Sequence, residues 1–338
     1  MRTYSTKTIK TITLLGILIL FIMSNPPVQE ETLARENKAH TCLIKEPLCN
    51  LKPRTIQHLE IPKCTQNDEI LTYSAFVLSY NEEHEQASWV AYELTREETY
   101  AMYERSDKFI PDLRVKGQTA DGKDYKGFGY DKGHLAPAGD MAWSSVAMQE
   151  SFYYSNISPQ EPGFNRGIWK KLEELVRQWA RDNRSIYIVT GPVLKKGLPT
   201  IGKNKVSVPK YFYKIILDYR EPDIKGIGFV IPNMRSNESL QKYALTIDNI
   251  EKLTGIDFFH LLPDEQEELI ESTLNLKNWR FDTPDIVGKS SMAVMQCKSI
   301  TKSGKRCKNK TKNPDGYCYL HENQTHTSRK TERYDTMN

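Results

Sequence analysis

Three short polar segments between residues 131 and 177 carry the side chains of this 338-residue chain that are best suited to chemistry. The first is the tetrapeptide DKGH, which contains Lys132 and ends in His134, and the second contains Asn156. The third begins at Asn165, where apolar residues at helical spacing predict a helix over residues 165–182. A neutral imidazole can accept a proton at physiological pH, because the ordinary pKa of histidine is about 6.5.

The predicted helix presents one polar edge beside its apolar stripe. Steps of four residues advance about 40° beyond a full turn, so Asn165, Glu173 and Arg177 follow one another along this edge, with Trp169 between them. Oxygen ligands hold Mg²⁺, and a planar guanidinium binds phosphate oxygens. Together with a base at His134, these groups would suit hydrolysis of a phosphodiester, which needs a proton acceptor and a positive centre.

Each of these residues also has a simpler explanation when it is taken alone. Asn165 could serve only as the N-cap of the helix, and Glu173 with Arg177 could be an exposed ion pair at i, i+4. A single histidine is more often structural, and Asn156 could be a turn residue. The joint order and spacing of the set favour the chemical interpretation.

The stretch from 131 to 179 resembles the DNA/RNA non-specific endonucleases of the ββα-metal, or His-Me finger, superfamily. The family pattern Asp-Arg-Gly-His followed by Leu-Ala-Pro is present as YDKGHLAPAGDM. A Ser-Asn-x-x-Pro-Gln pattern is present at residues 155–160, and Asn-x-x-x-Trp-x-x-Leu-Glu at residues 165–173. With weaker landmarks further along, the resemblance covers roughly residues 66–265.

The resemblance implies a role for each matching residue. It implies that His134 is the general base and that Asn165 is a direct ligand of Mg²⁺ or Mn²⁺. Glu173 would orient the waters on that ion, Asn156 would be a positioning amide, and Arg177 would contact phosphate. It also implies DNA and RNA as substrates, no small-molecule cofactor and a homodimer as a candidate assembly.

Two departures from the family pattern concern phosphate binding. Lys132 replaces the arginine of the first motif, so a point charge stands where the family has a planar fork. A further arginine that the family uses upstream is expected at Lys108 or Arg114. A protein that binds nucleic acid without cutting it is therefore the alternative function.

The element pattern predicts an α+β fold with an antiparallel or mixed sheet. The resemblance implies a ββα-metal element that would place His134 on its strand side and Asn165 at a helix start. A hairpin is predicted from 71–80 and 88–94, strands at 185–193, 208–218 and 226–231, and helices at 239–254 and 265–276. The predicted organisation is a signal or anchor (1–27), a cysteine-containing leader (28–65), the nuclease domain (66–281), a linker (282–296), a basic module (297–321) and a polar tail (322–338).

The N-terminus predicts export. Residues 12–23 are almost wholly apolar and follow three basic residues. Twelve helical residues span about 18 Å, which is shorter than the roughly 30 Å hydrocarbon core of a membrane. This pattern is typical of a secretory signal, so the chain is expected to be secreted or periplasmic. No clear cleavage site follows, which leaves an uncleaved membrane anchor as the alternative.

The C-terminal module combines metal-ligand spacing with positive charge. Cys297, Cys307, Cys318 and His321 offer three thiolates and one imidazole, enough for a closed tetrahedral Zn²⁺ site. Seven Lys and Arg against one Asp give residues 297–321 a net charge of +6, which would bind a polyanion. Disulfides are the alternative in an exported chain, including one from Cys42 to Cys49. A zinc-mediated interaction module as the main function is a third hypothesis.

The overall composition limits the protein class without assigning a function. Apolar residues at 38% and charged residues at 27% exclude collagen-like, low-complexity and polytopic membrane proteins. The formal net charge is only +4. This value by itself does not predict nucleic-acid binding, so that prediction depends on local clusters.

Overall fold

The computed structural model describes residues 56–221, 223–282, 294–301, 304–311, 313, 316–318 and 320–321. The predicted signal or anchor, Cys42 and Cys49, the polar tail and most of the linker lie outside these residues. Within the described ranges, none of the helices combines the length and the apolar character that a membrane crossing requires.

The largest element of the described chain is a seven-stranded antiparallel sheet. In chain order the strands are β1 (Glu69–Thr72), β2 (Val77–Asn81), β3 (Gln86–Thr95), β4 (Asp131–His134), β5 (Ile157–Gln160), β6 (Ser185–Pro192), β7 (Thr200–Ile201), β8 (Val206–Ser207), β9 (Tyr211–Asp218), β10 (Lys225–Pro232), β11 (Ala244–Leu245), β12 (Met295–Gln296) and β13 (Lys310–Thr311). The large sheet has the spatial order β1-β2-β3-β6-β9-β10-β11, whereas β4 and β5 form a separate two-stranded ribbon. Ile215, Ile216 and Leu217 are fully buried in succession, so both faces of the central strand β9 are covered.

The predicted α+β class with an antiparallel sheet is confirmed. The hairpin is also present, formed by β2 and β3. The predicted strand over residues 71–80 is instead two strands, because the chain turns at residues 73–76, where the Tyr73 N–H donates to the Phe76 carbonyl at 2.8 Å. Aromatic and β-branched residues continue through this turn, so composition alone did not reveal it.

The helices of the described chain are α1 (Gly122–Tyr125), α2 (Ser145–Glu150), α3 (Lys170–Asn183), α4 (Ile247–Thr254) and α5 (Asp264–Ser272). The predicted apolar stripe of α3 is buried, including Leu172, Val176 and Trp179. The helix predicted from residue 165 differs in its first turn, which is a π turn (Phe164–Trp169) with non-helical Gly167. A π turn holds more residues than an α turn, so Asn165 is shifted relative to the helix that follows, and Trp169 at the end of the turn is fully buried.

The predicted helix over 239–254 is wrong in its first half. That segment forms a 3₁₀ turn (Leu240–Tyr243) and then β11, which pairs with β10, and α4 begins only after the N-cap Thr246. The free edge of β10 gives the segment a partner that its own sequence does not specify. The second predicted helix ends at Ser272, four residues early.

The packed domain begins ahead of residue 66. Leu59 and Ile61 are buried, and the Lys63 N–H donates to the Asp257 carbonyl at 2.9 Å. Part of the segment predicted as a leader therefore packs on the domain.

Candidate active site

The ribbon of β4 and β5 carries His134 at the end of β4. Asp131 pairs with Gln160 and His134 with Ile157. A Cβ at residue 133 would overlap the Gln160 side chain, which explains the glycine in the DKGH segment. The short strands thus fix the direction in which each residue of the motif leaves the backbone.

Asn156 lies directly before β5 and binds the backbone beside His134. Its Oδ1 accepts the Ala136 N–H at 2.9 Å, and its Nδ2 donates to the carbonyls of Ala136 and Ser151 at 2.9 and 2.8 Å. The Leu135 N–H also donates to the Asn156 carbonyl at 3.0 Å. These bonds occupy a fully buried side chain, so Asn156 acts on the site by holding the chain that follows His134.

His134 is a buried neutral imidazole with one unused nitrogen. The ring is 7% exposed and packs against Phe109 and Phe152, with ring centroids 5.5 and 4.7 Å away. Its Nε2 has no hydrogen-bond partner among the described residues. Burial, and then the positive charge of Arg105, lowers the pKa of His134 to about 3. The imidazole is therefore unprotonated at neutral pH, and a phosphate beside it would raise its pKa and strengthen it as a proton acceptor.

Asn165 lies in the π turn and is tied to the other end of β4. Its Nδ2 donates to Asp131 Oδ2 at 2.9 Å, and Arg166 binds both oxygens of the same carboxylate at 2.7 and 2.6 Å. Neither the π turn nor α3 has a side-chain N-cap bond, so the N-cap explanation of Asn165 is wrong. With the amide nitrogen engaged, the Asn165 oxygen remains available as a ligand.

Arg177 pairs with Asp140 rather than with Glu173. The Arg177 Nη1 lies 2.7 Å from Asp140 Oδ1, and the Tyr92 hydroxyl donates to the other oxygen at 2.7 Å. A Cβ at Gly139 would come within 2.9 Å of the Arg177 Nη1, so glycine leaves room for the guanidinium. The simple exposed pair between Glu173 and Arg177 is therefore not what the fold forms.

Glu173 instead faces a buried lysine that sequence reasoning missed. Lys214 of β9 is 1% exposed, its Nζ has no hydrogen-bond partner among the described residues, and the Nζ lies 5.1 Å from the Trp169 ring centroid. Burial raises the pKa of Glu173 to about 7, although Lys214 and Arg177 oppose the rise. Burial lowers the pKa of Lys214 to about 8, and Glu173 opposes that change. The strand pattern alone gave no signal that this lysine points inward.

Arg105 is the upstream arginine that reaches the site. Its guanidinium lies 4.9 Å from the Phe152 ring centroid, and its charge lowers the pKa values of both His134 and Glu173. Arg114 binds elsewhere: it stacks on Tyr73 at 3.8 Å and donates to the Thr72 carbonyl. The sequence feature that could have indicated this residue is its position, because Arg105 comes one residue before the long polar stretch that contains Lys108 and Arg114.

Lys132 shares an aromatic ring with His134. The Lys132 Nζ lies 4.7 Å from the Phe109 centroid and 5.6 Å from the Tyr154 centroid. Residues two apart on a strand point to the same side, which is why Lys132 and His134 both contact Phe109. The ammonium group therefore packs on the same aromatic ring as the imidazole, although as a point charge and not as a fork.

The oxygen donors on the π turn and α3 fit a hydrated hard cation. The Asn165 amide oxygen is available, and Glu173 is a half-buried carboxylate whose pKa burial has raised, so a nearby cation would keep it ionised. Mg²⁺ retains several waters and needs few protein ligands. Asn165 could therefore hold such an ion, with Glu173 acting on its waters.

The C-terminal module gathers the predicted zinc ligands. One donor atom each from Cys297, Cys307, Cys318 and His321 lies within 4.8 Å of the others, and the Cys307 and Cys318 sulfurs are 4.0 Å apart. Two sulfurs at about 2.3 Å from a tetrahedral Zn²⁺ would be about 3.8 Å apart, whereas a disulfide needs about 2.05 Å. The three cysteines of the cluster are free, so the donor set is compatible with zinc.

Comparisons with known proteins agree with the motifs. The family model described as DNA/RNA non-specific endonuclease matches residues 57–265, and a domain of unknown function matches residues 294–332. The mitochondrial nuclease EXOG of Danio rerio is 35% identical, over 57% of this chain and 62% of its own length. A nuclease of Nostoc sp. is 31% identical, over 68% of this chain and 90% of its own length.

A solved structure shares the fold. A crystal structure of the EndoG/EndoGI complex matches with a TM-score of 0.57 and 29% identity, covering 62% of this chain and 91% of that chain. The family match extends over more than half of the chain and includes every residue from Arg105 to Lys214 that forms the candidate site. The chain therefore belongs to the DNA/RNA non-specific endonuclease family.

Proposed function

We propose that the protein is an endonuclease that hydrolyses phosphodiester bonds of DNA and RNA without sequence specificity and depends on Mg²⁺, with Mn²⁺ as the alternative ion. The observation that carries this proposal is the buried, neutral His134, whose Nε2 has no partner among the described residues. The family membership supports the same reaction class.

The reaction follows from what each side chain can do. His134 takes a proton from the attacking water, because its imidazole is neutral and one nitrogen is unused. Arg105, whose charge acts on His134, and Lys132, which packs on the same Phe109 ring as His134, contribute positive charge for the phosphate. Asn165 would hold a divalent cation, which when bound would supply further positive charge for the transition state and the leaving oxygen.

The remaining side chains position these groups. Asp131 holds Asn165 in place, and Asp140 does the same for Arg177. Glu173 lies on the same helix as Arg177 and forms no ion pair or hydrogen bond with another described residue. The positive groups of the site would contact the phosphate backbone, which carries no base information, so cleavage without sequence preference is expected.

The direct experiment is digestion of plasmid DNA and of a structured RNA by the full-length protein. Because EDTA would also remove zinc from the C-terminal module, the chelated protein is supplied with Mg²⁺ alone, with Zn²⁺ alone and with both. Fragments that appear with Mg²⁺ alone support the proposal. Retention of both substrates without cutting under every metal condition favours the alternative, a nucleic-acid-binding protein in which Lys132 replaces the expected arginine.

Arg105→Ala is expected to slow cleavage roughly 10²-fold, a typical cost of removing one electrostatic contact in an active site. Arg114→Ala is the matched control, because Arg114 stacks on Tyr73 and makes no described contact with the residues around His134. The control should lower thermal stability while the cleavage rate stays near that of the wild type. The opposite pattern of rates would assign the role to Arg114.

We further propose that the C-terminal module binds Zn²⁺ and adds affinity for nucleic acid. Its charge of +6 lies outside the residues that form the active site. Deletion of residues 290–338 should therefore leave cutting in place, while DNA binding becomes weaker and less dependent on salt. Binding measured at 50 and 200 mM salt, alongside the cleavage rate, checks this. A deletion that abolishes all cutting would mean that the module is needed for the reaction.

We propose export for the whole chain. The apolar run at residues 12–23 is continuous, as in a secretory signal, whereas a mitochondrial presequence is amphipathic and rich in arginine. Recovery of activity from the medium, the periplasm or the membrane fraction separates a cleaved signal from an anchor. A homodimer remains a prediction from the family resemblance.

A further inference from the structure

The pair of helices α4 and α5 brings three carboxylates together away from the residues of the nuclease reaction. Asp248 and Glu251 belong to α4, and Glu271 belongs to α5. One carboxylate oxygen of each lies within 4.8 Å of the others. Three negative charges at this separation repel one another, so the arrangement requires either a shared proton or a bound cation.

Glu271 is the member that points to a ligand. It is 5% exposed, and its Oε1 has no hydrogen-bond partner among the described residues. Burial of an ionised carboxylate without a partner is costly. Burial is also the main reason why the pKa of Glu271 is raised to about 9, and Glu251, Glu267, Asp248 and Asp257 raise it further.

The basic side chains around this cluster do not pair with it. The charge of Lys252 opposes the rise that burial causes in the pKa of Glu251, and the exposed Lys63 lies 2.9 Å from Asp257 instead. Within the described ranges, no lysine or arginine forms an ion pair with Asp248, Glu251 or Glu271. The negative charge is therefore concentrated where two helices meet.

We propose that Asp248, Glu251 and Glu271 bind a hard divalent cation, Ca²⁺ in preference to Mg²⁺, which joins α4 to α5. Two oxygens that each lie about 2.4 Å from one Ca²⁺ are at most about 4.8 Å apart, and the three carboxylate oxygens lie within this limit of one another. Ca²⁺ also accepts irregular sets of carboxylate ligands, whereas Mg²⁺ requires near-octahedral geometry.

The ion would stabilise the packing of α4 and α5 against β10 of the large sheet. Ile247 of α4 and Ile270 of α5 both pack over Gly226 of β10, where a Cβ would come within 2.7 Å of the Ile247 Cδ1. Joining the two helices therefore holds their apolar side chains on the strand. The site is structural and does not depend on the proposed nuclease reaction.

The test is thermal unfolding of full-length protein, treated with EGTA and then titrated with Ca²⁺ or with Mg²⁺. All variants carry Asn165→Ala, so that binding at the candidate nuclease site does not contribute. Glu271→Gln removes the proposed ligand with little change in shape, and Glu268→Gln, at an exposed glutamate of the same helix, is the matched control. Equilibrium dialysis with radioactive Ca²⁺ gives the stoichiometry of the same samples.

Ca²⁺ at about 100 times its Kd should raise the Tm of the parent and of Glu268→Gln by roughly 5 °C or more, and Glu271→Gln should not respond. One fewer Ca²⁺ should be retained by Glu271→Gln than by the control. Absence of a Ca²⁺ shift in the parent overturns the proposal, as does an equal shift in Glu271→Gln. If Glu271→Gln is more stable than the parent at pH 8 and neither responds to Ca²⁺, the cluster shares a proton instead.

Discussion

Replacing His134 by alanine is expected to slow the cleavage of DNA and of RNA by a factor of roughly 10² to 10⁴, the usual contribution of a general base. Both substrates should lose activity equally, because the base acts on the attacking water and not on the sugar. Single-turnover digestion at saturating protein measures this loss without a contribution from binding.

His84→Ala is the matched control for that experiment. His84 is also 7% exposed, but its Nδ1 lies 2.8 Å from the Ser207 hydroxyl, whereas the Nε2 of His134 has no hydrogen-bond partner among the described residues. The control should cut at close to the wild-type rate wherever it remains folded. A His134→Ala protein that cuts as fast as His84→Ala would remove the proposed base.

The pH dependence should follow Glu173 rather than His134. The pKa of His134 is held at about 3, so the imidazole remains neutral throughout the range in which cleavage would be measured. The pKa of Glu173 is raised to about 7, so in the absence of a cation its carboxylate ionises as the pH rises through 7. Cation binding would favour the ionised form, so the acid limb of activity should move to lower pH as the Mg²⁺ concentration increases.

The burial of His134 also makes the stability of the folded protein depend on pH. Its pKa falls from 6.5 to about 3 in the folded state, so its contribution is fully present above pH 6.5 and is lost as the pH decreases toward 3. At pH 5, which is about 1.5 units below 6.5, the loss is about 2 kcal/mol.

Asn165→Ala should have the second large effect, a rate loss of roughly 10² to 10³ at low Mg²⁺ together with a higher Mg²⁺ requirement. The substitution removes the available amide oxygen and the bond from Nδ2 to Asp131. A Mg²⁺ titration of the cleavage rate separates the two causes, because loss of a ligand is partly rescued by more Mg²⁺. Asn249→Ala, at an exposed asparagine of α4, is the control. An unchanged Mg²⁺ requirement in Asn165→Ala would contradict its role as the ligand.

Some of these residues could be assigned from the amino-acid sequence alone. His134, Asn156 and Asn165 lie in three ordered motifs whose spacing along the chain is fixed, and the buried stripe of α3 follows from helical geometry. The cysteine and histidine spacing of the C-terminal module similarly predicted its cluster. Such features depend on residues that are close in sequence.

Other features depend on contacts between distant segments. The upstream arginine was expected at Lys108 or Arg114 and not at Arg105, because the position depends on which loop residue packs on Phe152 and which on Tyr73. Lys214 faces Glu173 only because β9 lies beneath the π turn through Trp169.

The sequence by itself thus determined the candidate site residues, their order and the α+β class, because local spacing and hydrophobic period encode them. Tertiary structure decided which charges are paired, as when Arg177 binds Asp140 and Asn165 binds Asp131. It also decided which groups are buried, and therefore the pKa values of His134 and Glu173. The physical reason is that desolvation and ion pairing depend on neighbours that only the packed sheet and helices bring together.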